Sequence, residues 1–135
     1  MEEKLKKYFL NLYAMALADE YFDTEEQAVL YEIAKEKGIT KEELDSVIFN
    51  EKIAEPYIPL TFFEKIENLT NISKIILADG KIEQKELDLL KFYILKFGFE
   101  KDKINIIADK LLNDVKERKD IKDISSSIKN ILQEN

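Results

Sequence analysis

Apolar residues recur at steps of three and four along most of this chain, which is the spacing of amphipathic α-helices. The clearest run is Leu87, Leu90, Ile94 and Phe97, and Gly98 follows it directly. A glycine after such a run is typical of a helix C-terminus, because glycine adopts the left-handed conformation at low cost. The pattern predicts about seven helices, which start near Glu3, Asp23, Thr40 and Thr61, after Gly80, near Lys101 and after Asp120.

Local polar and proline signals mark helix starts and one linker. A Ser, Thr or Asp followed three residues later by Glu forms a capping box, which satisfies backbone N–H groups at a helix N-terminus. Three pairs fit this pattern: Asp23 with Glu26, Thr40 with Glu43, and Thr61 with Glu64. Pro56 and Pro59 bracket a linker near the middle of the chain, because each proline biases the preceding residue away from helix.

The two halves of the chain share residues at a spacing of sixty positions. When Asp19 is set on Asp79, the residues that coincide are Ala18, Asp19, Glu26, Leu30, Gly38 and Lys41 with Ala78, Asp79, Glu86, Leu90, Gly98 and Lys101. The sequence therefore predicts two copies of one helical unit. The copies span about 3–52 and 61–116, with a linker over 53–60 and a final helix over about 120–133.

Composition restricts the chemistry that the chain can perform. A length of 135 residues with 45% hydrophobic content fits one domain over 1–135. The chain has no Cys and no His, which excludes a disulfide, a thiolate nucleophile and a Ser-His-Asp triad. Because no catalytic constellation is visible, we expect a protein that is not an enzyme. The formal net charge of −7 would repel a phosphate backbone, so we expect no nucleic-acid partner.

The sequence also predicts a protein without an integral membrane segment. No stretch approaches the roughly 18 uninterrupted apolar residues of a membrane span. The lysine-rich start followed by an apolar run superficially resembles a signal peptide, but Glu2, Glu3 and Asn11 interrupt the required pattern. We therefore expect a cytoplasmic location.

The turn at 79–82, followed by Glu86, matches the second half of an EF-hand calcium loop. With Gly80 at the sixth loop position, the first and third ligand positions are Ile75 and Leu77. Apolar side chains cannot bind calcium, so the first half of the loop fails. We do not expect an EF-hand.

The same residues resemble the tellurite-resistance TerB-like family. Its signature is an Ala-Asp-Gly turn, an apolar residue two positions later, a polar cap, a Glu, and a helix that ends in glycine. This signature runs from Ala78 through Glu86 to Gly98, and a more divergent copy runs from Ala18 to Gly38 with Glu20 in place of the turn glycine. The N-terminal domain of some membrane-anchored J-domain co-chaperones shares the signature. The resemblance implies an all-α bundle of about seven helices with pseudo-twofold symmetry.

The resemblance also implies a link to tellurite resistance and stress response, and divalent-cation binding by acidic residues. The matching acids are Asp19, Asp23 and Glu26 in the first copy and Asp79, Glu83 and Glu86 in the second. Capping alone explains such acids in turns and first helical turns, where carboxylates accept from backbone N–H groups. The alternatives are a weak Ca²⁺ or Mg²⁺ site, which needs only oxygen ligands, and a metal-assisted carboxylate enzyme.

The predicted function is that of a TerB-like binding or adaptor module, with a purely structural partner subunit as a further alternative. Leu89, Phe92 and Tyr93 lie together on one side of their predicted helix, roughly opposite Leu87 and Leu90. Both sides cannot face one core equally, so the sequence predicts an exposed apolar patch there. Such a patch would contact a protein partner or form a homodimer.

Overall fold

The fold is all-α, as the hydrophobic pattern predicted. The computed structural model describes residues 3–16, 24–50, 57–78 and 80–133, and for residues 16 and 47–50 it describes the backbone alone. Within these ranges there are seven α-helices, a 3₁₀ turn and no strand. The helices are α1 (Glu3–Ala16), α2 (Thr24–Glu36), α3 (Lys41–Asn50), α4 (Phe62–Ile76), α5 (Gln84–Lys96), α6 (Ile104–Lys116) and α7 (Ile121–Gln133), with the 3₁₀ turn at Lys101–Lys103 directly before α6.

Helix α4 is the central helix of the bundle. It packs against α1, α2, α5, α6 and α7. Residues around most of its circumference are buried, as expected for a helix with neighbours on several sides. The buried residues of α4 are Ile66, Asn68, Leu69, Thr70, Asn71, Ile72, Ser73, Ile75 and Ile76. One hydrophobic cluster joins residues of all seven described α-helices, so the two halves of the chain share a core.

Two of the three predicted capping boxes lie in the described residues; the one at Thr40 forms in full, and the one at Thr61 forms only the bond from its threonine side chain. Thr40 Oγ1 accepts from the N–H of Glu43 at 3.1 Å, and Glu43 Oε1 accepts from the N–H of Thr40 at 3.3 Å. Thr61 Oγ1 accepts from the N–H of Glu64 at 3.1 Å. These bonds satisfy N–H groups that a helix cannot pair internally. Local polar residues therefore fix the starts of α3 and α4.

Several features recur at the predicted spacing of sixty residues. Helix α2 spans Thr24–Glu36 and helix α5 spans Gln84–Lys96. Both end in a glycine with positive φ, +76° at Gly38 and +97° at Gly98. The next N–H bonds back to the helix in the same way, from Ile39 to the Ala34 carbonyl at 2.9 Å and from Phe99 to the Ile94 carbonyl at 3.4 Å. These features are what a repeat requires, and the superposition of the two halves stays a prediction.

The predicted apolar patch on α5 is partly wrong. Phe92 is 41% exposed, as predicted, but Tyr93 is only 3% exposed and belongs to the core. Leu89 is half-buried against that core. Tyr93 is buried because it lies seven residues after the buried Glu86, two helical turns along the same face.

None of the described helices is long and apolar enough to cross a membrane.

The C-terminus of α6 has the same geometry as those of α2 and α5, but with Arg118 in the glycine position. Its φ is +59°, and the N–H of Lys119 bonds to the Asp114 carbonyl at 3.0 Å. A side chain costs about 1–2 kcal/mol in the left-handed conformation. We expect Arg118→Gly to raise the free energy of unfolding by about 0.5–1 kcal/mol, measured by urea denaturation.

The matched change in the opposite direction is Gly38→Ala. A Cβ at Gly38 would meet nothing within 4 Å, so its cost comes from the backbone alone. We expect Gly38→Ala to lower the free energy of unfolding by about 1 kcal/mol. If both variants changed stability in the same direction, the assignment of Arg118 as a strained C-cap would be wrong.

Candidate functional site

Three of the six predicted site acids lie in the described residues. Glu26 is 1% exposed in the first turn of α2, and Glu86 is 2% exposed in the first turn of α5. Glu83 is exposed at the N-cap of α5, where Glu86 Oε1 accepts from its N–H at 3.1 Å. Asp19, Asp23 and Asp79 lie outside the described residues. The structure therefore brings Glu83 and Glu86 together through a capping bond.

This geometry gives the Glu86 carboxylate a role in starting α5. It is buried at the positive end of the helix macrodipole, where negative charge is stabilising. In the part of the chain that the structure describes, no three Asp, Glu, His or Cys side chains are grouped so that they could hold a metal ion. The six-acid cation site, with Ca²⁺ or Mg²⁺, remains a prediction because half of its acids lie outside that part.

Replacement of Glu86 separates capping from cation binding. We expect Glu86→Gln to lower the free energy of unfolding by about 1 kcal/mol, because the amide keeps an acceptor oxygen but loses the charge near the helix N-terminus. Thermal melts of both proteins should give the same difference in EDTA and in millimolar Ca²⁺ or Mg²⁺. A melting temperature that rises with cation in the wild type and not in Glu86→Gln would support the cation site instead.

A second polar cluster, which the sequence did not predict, lies where α1 crosses α4. Asn11 is 2% exposed, and its side chain pairs with both backbone groups of Tyr57. Nδ2 donates to the Tyr57 carbonyl at 2.8 Å, and Oδ1 accepts from the Tyr57 N–H at 2.9 Å. Nδ2 also donates to Oδ1 of the buried Asn68 at 3.1 Å. Asn11 therefore fixes the segment before α4 onto α1.

Another buried hydrogen bond between α1 and α4 joins Tyr8 of α1 to Asn71 of α4. Asn71 Nδ2 donates to the Tyr8 hydroxyl. Tyr8 is buried, and Lys37 Nζ lies 4.7 Å from the centre of its ring while bonding to Glu67 at 3.0 Å. Burial raises the pKa of the Tyr8 hydroxyl well above its ordinary value, although the bond from Asn71 opposes this. Tyr8 therefore stays neutral and holds α1 against α4.

Two cavities adjoin this crossing and share Lys37 and Glu67 in their walls. The first has a volume of about 240 Å³ and lies against Tyr57 and Pro59. The second has a volume of about 330 Å³ and is lined by Asn71. Both approach or reach the size range of small-ligand pockets. The crossing thus offers concave surface beside buried polar groups.

An exposed apolar surface lies at the N-terminal end of α4. We call Ile58, Leu60 and Phe63 the 58–63 surface; their side chains are 46%, 84% and 48% exposed. Beside it, Lys4 Nζ and Glu64 Oε1 form an ion pair at 2.9 Å. An apolar centre with a charged rim is the usual anatomy of a protein–protein interface. The sequence predicts a linker over 53–60 and a helix from Thr61, and it does not predict the exposure of these three side chains.

One signal in the sequence could have revealed the asparagine cluster. Asn11 interrupts an apolar run at a position that the helical spacing places in the core. A buried amide needs partners. Those partners lie 46 and 57 positions away along the chain, so their identity depends on the fold.

No protein-family model, curated protein or solved structure matches the chain.

Proposed function

We propose that this chain is a TerB-like helical module that acts by binding a protein partner. Support for the family comes from the all-α fold and from the signature that runs from Ala78 to Gly98. The glycine ends of α2 and α5 have the same backbone geometry, sixty residues apart. Support for the binding role comes from the 58–63 surface.

The observation that carries the binding role is the exposure of three large apolar side chains within six positions. Single exposed apolar residues are normal on monomeric proteins, whereas clustered ones mark interaction sites. Leu60, at 84% exposed, has almost all of its side chain in solvent. A partner that covered Leu60 alone would gain about 1.5–3 kcal/mol from its burial. The neighbouring Lys4–Glu64 pair would form part of the polar rim.

The test compares a double variant, Leu60→Glu with Phe63→Glu, with the single variant Ile82→Glu. Ile82 is 41% exposed and lies beyond the C-terminal end of α4, so it is a matched change at the opposite end of that helix. Each tagged full-length protein is used for quantitative affinity capture from cell extract and for analytical ultracentrifugation. The second measurement reports a partner that is another copy of the chain.

We expect the wild type and Ile82→Glu to retain the same partner, or to sediment as the same dimer. The double variant should lose the partner or sediment as a monomer, because two charges would be buried in the interface. If the double variant captured the same proteins and sedimented like the wild type, the 58–63 surface would not be the binding site.

A further inference from the structure

Asn71 has the same position in α4 as Asn11 has in α1, sixty residues earlier. Each uses Nδ2 to donate to the other half of the crossing, Asn11 to Asn68 and Asn71 to Tyr8. Asn68 is in turn sixty residues after Tyr8. If each of these residues is exchanged with the one sixty positions away, the Asn11–Asn68 bond becomes the Asn71–Tyr8 bond.

The two asparagines differ in what else they bind. Asn11 uses its remaining amide hydrogen and its Oδ1 to pair with the carbonyl and N–H of Tyr57. Asn71 is 6% exposed, and its remaining amide hydrogen and Oδ1 have no partner among the residues described. It lines the 330 Å³ cavity, and Lys119, Asp120 and Ile121 form another part of the cavity wall.

The lengths of the connections between helices explain why no described segment pairs with the Asn71 amide as Tyr57 pairs with Asn11. In the first half, α3 ends at Asn50 and α4 begins at Phe62, so the connection is long enough to lay Tyr57 on Asn11. In the second half, α6 continues to Lys116 and α7 begins at Ile121. The short connection turns directly into α7, and no main chain of the described residues pairs with the Asn71 amide.

We infer that the cavity at Asn71 binds an extended peptide segment of a partner protein through its main chain, in the way that Asn11 binds Tyr57. In an extended segment the N–H and carbonyl of one residue point to the same side, as they do in an antiparallel ladder. One amide side chain can therefore pair with both groups. The Asn11–Tyr57 contact, with bonds of 2.9 and 2.8 Å, is the template within the same molecule.

Three acidic and three basic side chains line the cavity, namely Glu36, Glu67, Asp120, Lys37, Lys74 and Lys119. Among these, Lys74 is the group that would bind an acidic side chain of the peptide. Lys37 is paired with Glu67 at 3.0 Å, and Lys119 bonds to the buried Asp114 at 3.2 Å, which raises the pKa of the Lys119 ammonium. Lys74 also lines the cavity and has no ion-pair partner among the described residues. A carboxylate on the peptide would pair with Lys74.

The probe is a peptide with the sequence of residues 55–60, acetylated and amidated at its ends, because this sequence contains both the template residue and a glutamate. It is titrated into the ¹⁵N-labelled full chain and followed by NMR. We expect saturable shifts of the Asn71 side-chain amide and of the Lys74 backbone, with little change at the Asn11 side chain. A probe with lysine in place of its glutamate should bind about three- to fivefold more weakly.

Two variants and two controls complete the test. Asn71→Leu removes both hydrogen-bonding groups at similar volume and should weaken binding about tenfold or more. Lys74→Glu, on an exposed side chain, should weaken it about fivefold. Lys101→Glu should not, because Lys101 is exposed before the start of α6 and does not line the cavity. The double variant of the 58–63 surface should bind the probe normally, so this inference and the proposed function can fail separately.

Absence of binding, or shifts at Asn11 or at the 58–63 surface in place of Asn71, would overturn the inference. Equal affinity of Asn71→Leu and wild type would do the same. Asn71→Leu also removes the hydrogen bond to Tyr8 and could prevent folding. In that case the test compares the probe affinity of Lys74→Glu with that of Lys101→Glu. Equal binding by those two variants would then overturn the inference.

Discussion

Replacement of Asn11 by alanine is expected to lower the free energy of unfolding by about 3–5 kcal/mol and the melting temperature by about 10–20 °C. The change removes three hydrogen bonds and leaves the Tyr57 N–H and carbonyl and Asn68 Oδ1 without this partner. Each unsatisfied buried group costs about 1–3 kcal/mol, and the costs overlap because one side chain serves all three. Urea denaturation followed by circular dichroism measures the loss.

The matched control is Asn105→Ala, which removes an exposed asparagine from α6. We expect it to change the free energy of unfolding by less than about 0.5 kcal/mol. If Asn11→Ala cost no more than Asn105→Ala, the asparagine cluster would not stabilise the crossing of α1 and α4.

The second large effect is a loss of stability in alkaline solution. Burial raises the pKa of Tyr8 well above its ordinary value of 10.0 and raises the pKa of Tyr93 to about 12. Above pH 10 the unfolded chain therefore loses tyrosine protons that the folded chain still holds, so stability falls as pH rises. Each tyrosine contributes at most about 1.4 kcal/mol per pH unit. We expect a combined loss of about 3–5 kcal/mol between about pH 10 and pH 12, measured by urea denaturation at fixed pH.

The variants Tyr8→Phe and Tyr93→Phe identify the source of this loss. Each lacks the hydroxyl that titrates, so the fall in stability with pH should be shallower than in the wild type. The slopes are compared, not the absolute values, because Tyr8→Phe also removes the acceptor for Asn71. A slope equal to that of the wild type in both variants would contradict the assignment.

Most helix positions could be predicted because their signals are local. The capping pairs at Thr40 and Thr61, and the glycines that end α2 and α5, act within a few residues of themselves. The start of the sixth helix was less well predicted, because residues 101–103 form a 3₁₀ turn before α6. The all-α class followed directly from these local signals.

The sites could be predicted only where their partners are near in sequence. Capping was one of the interpretations that the sequence offered for Glu86, and the Glu83 N–H that it accepts from lies only three positions earlier. Asn71 was not identified, because its partner Tyr8 is 63 positions away. The exposure of Leu60 also depends on which helices cover the segment before α4, and spacing along the chain does not determine that.

Helix α4 joins the two halves of the molecule, and Asn11 holds the segment before α4 against α1. Native-state hydrogen exchange, read residue by residue by NMR, tests this most directly. We predict that the amides of 69–76 exchange most slowly of all, only by global unfolding, and that the Tyr57 amide is protected although it lies outside a helix. Slowest exchange in α5 and α6, with α4 opening earlier and Tyr57 unprotected, would contradict it.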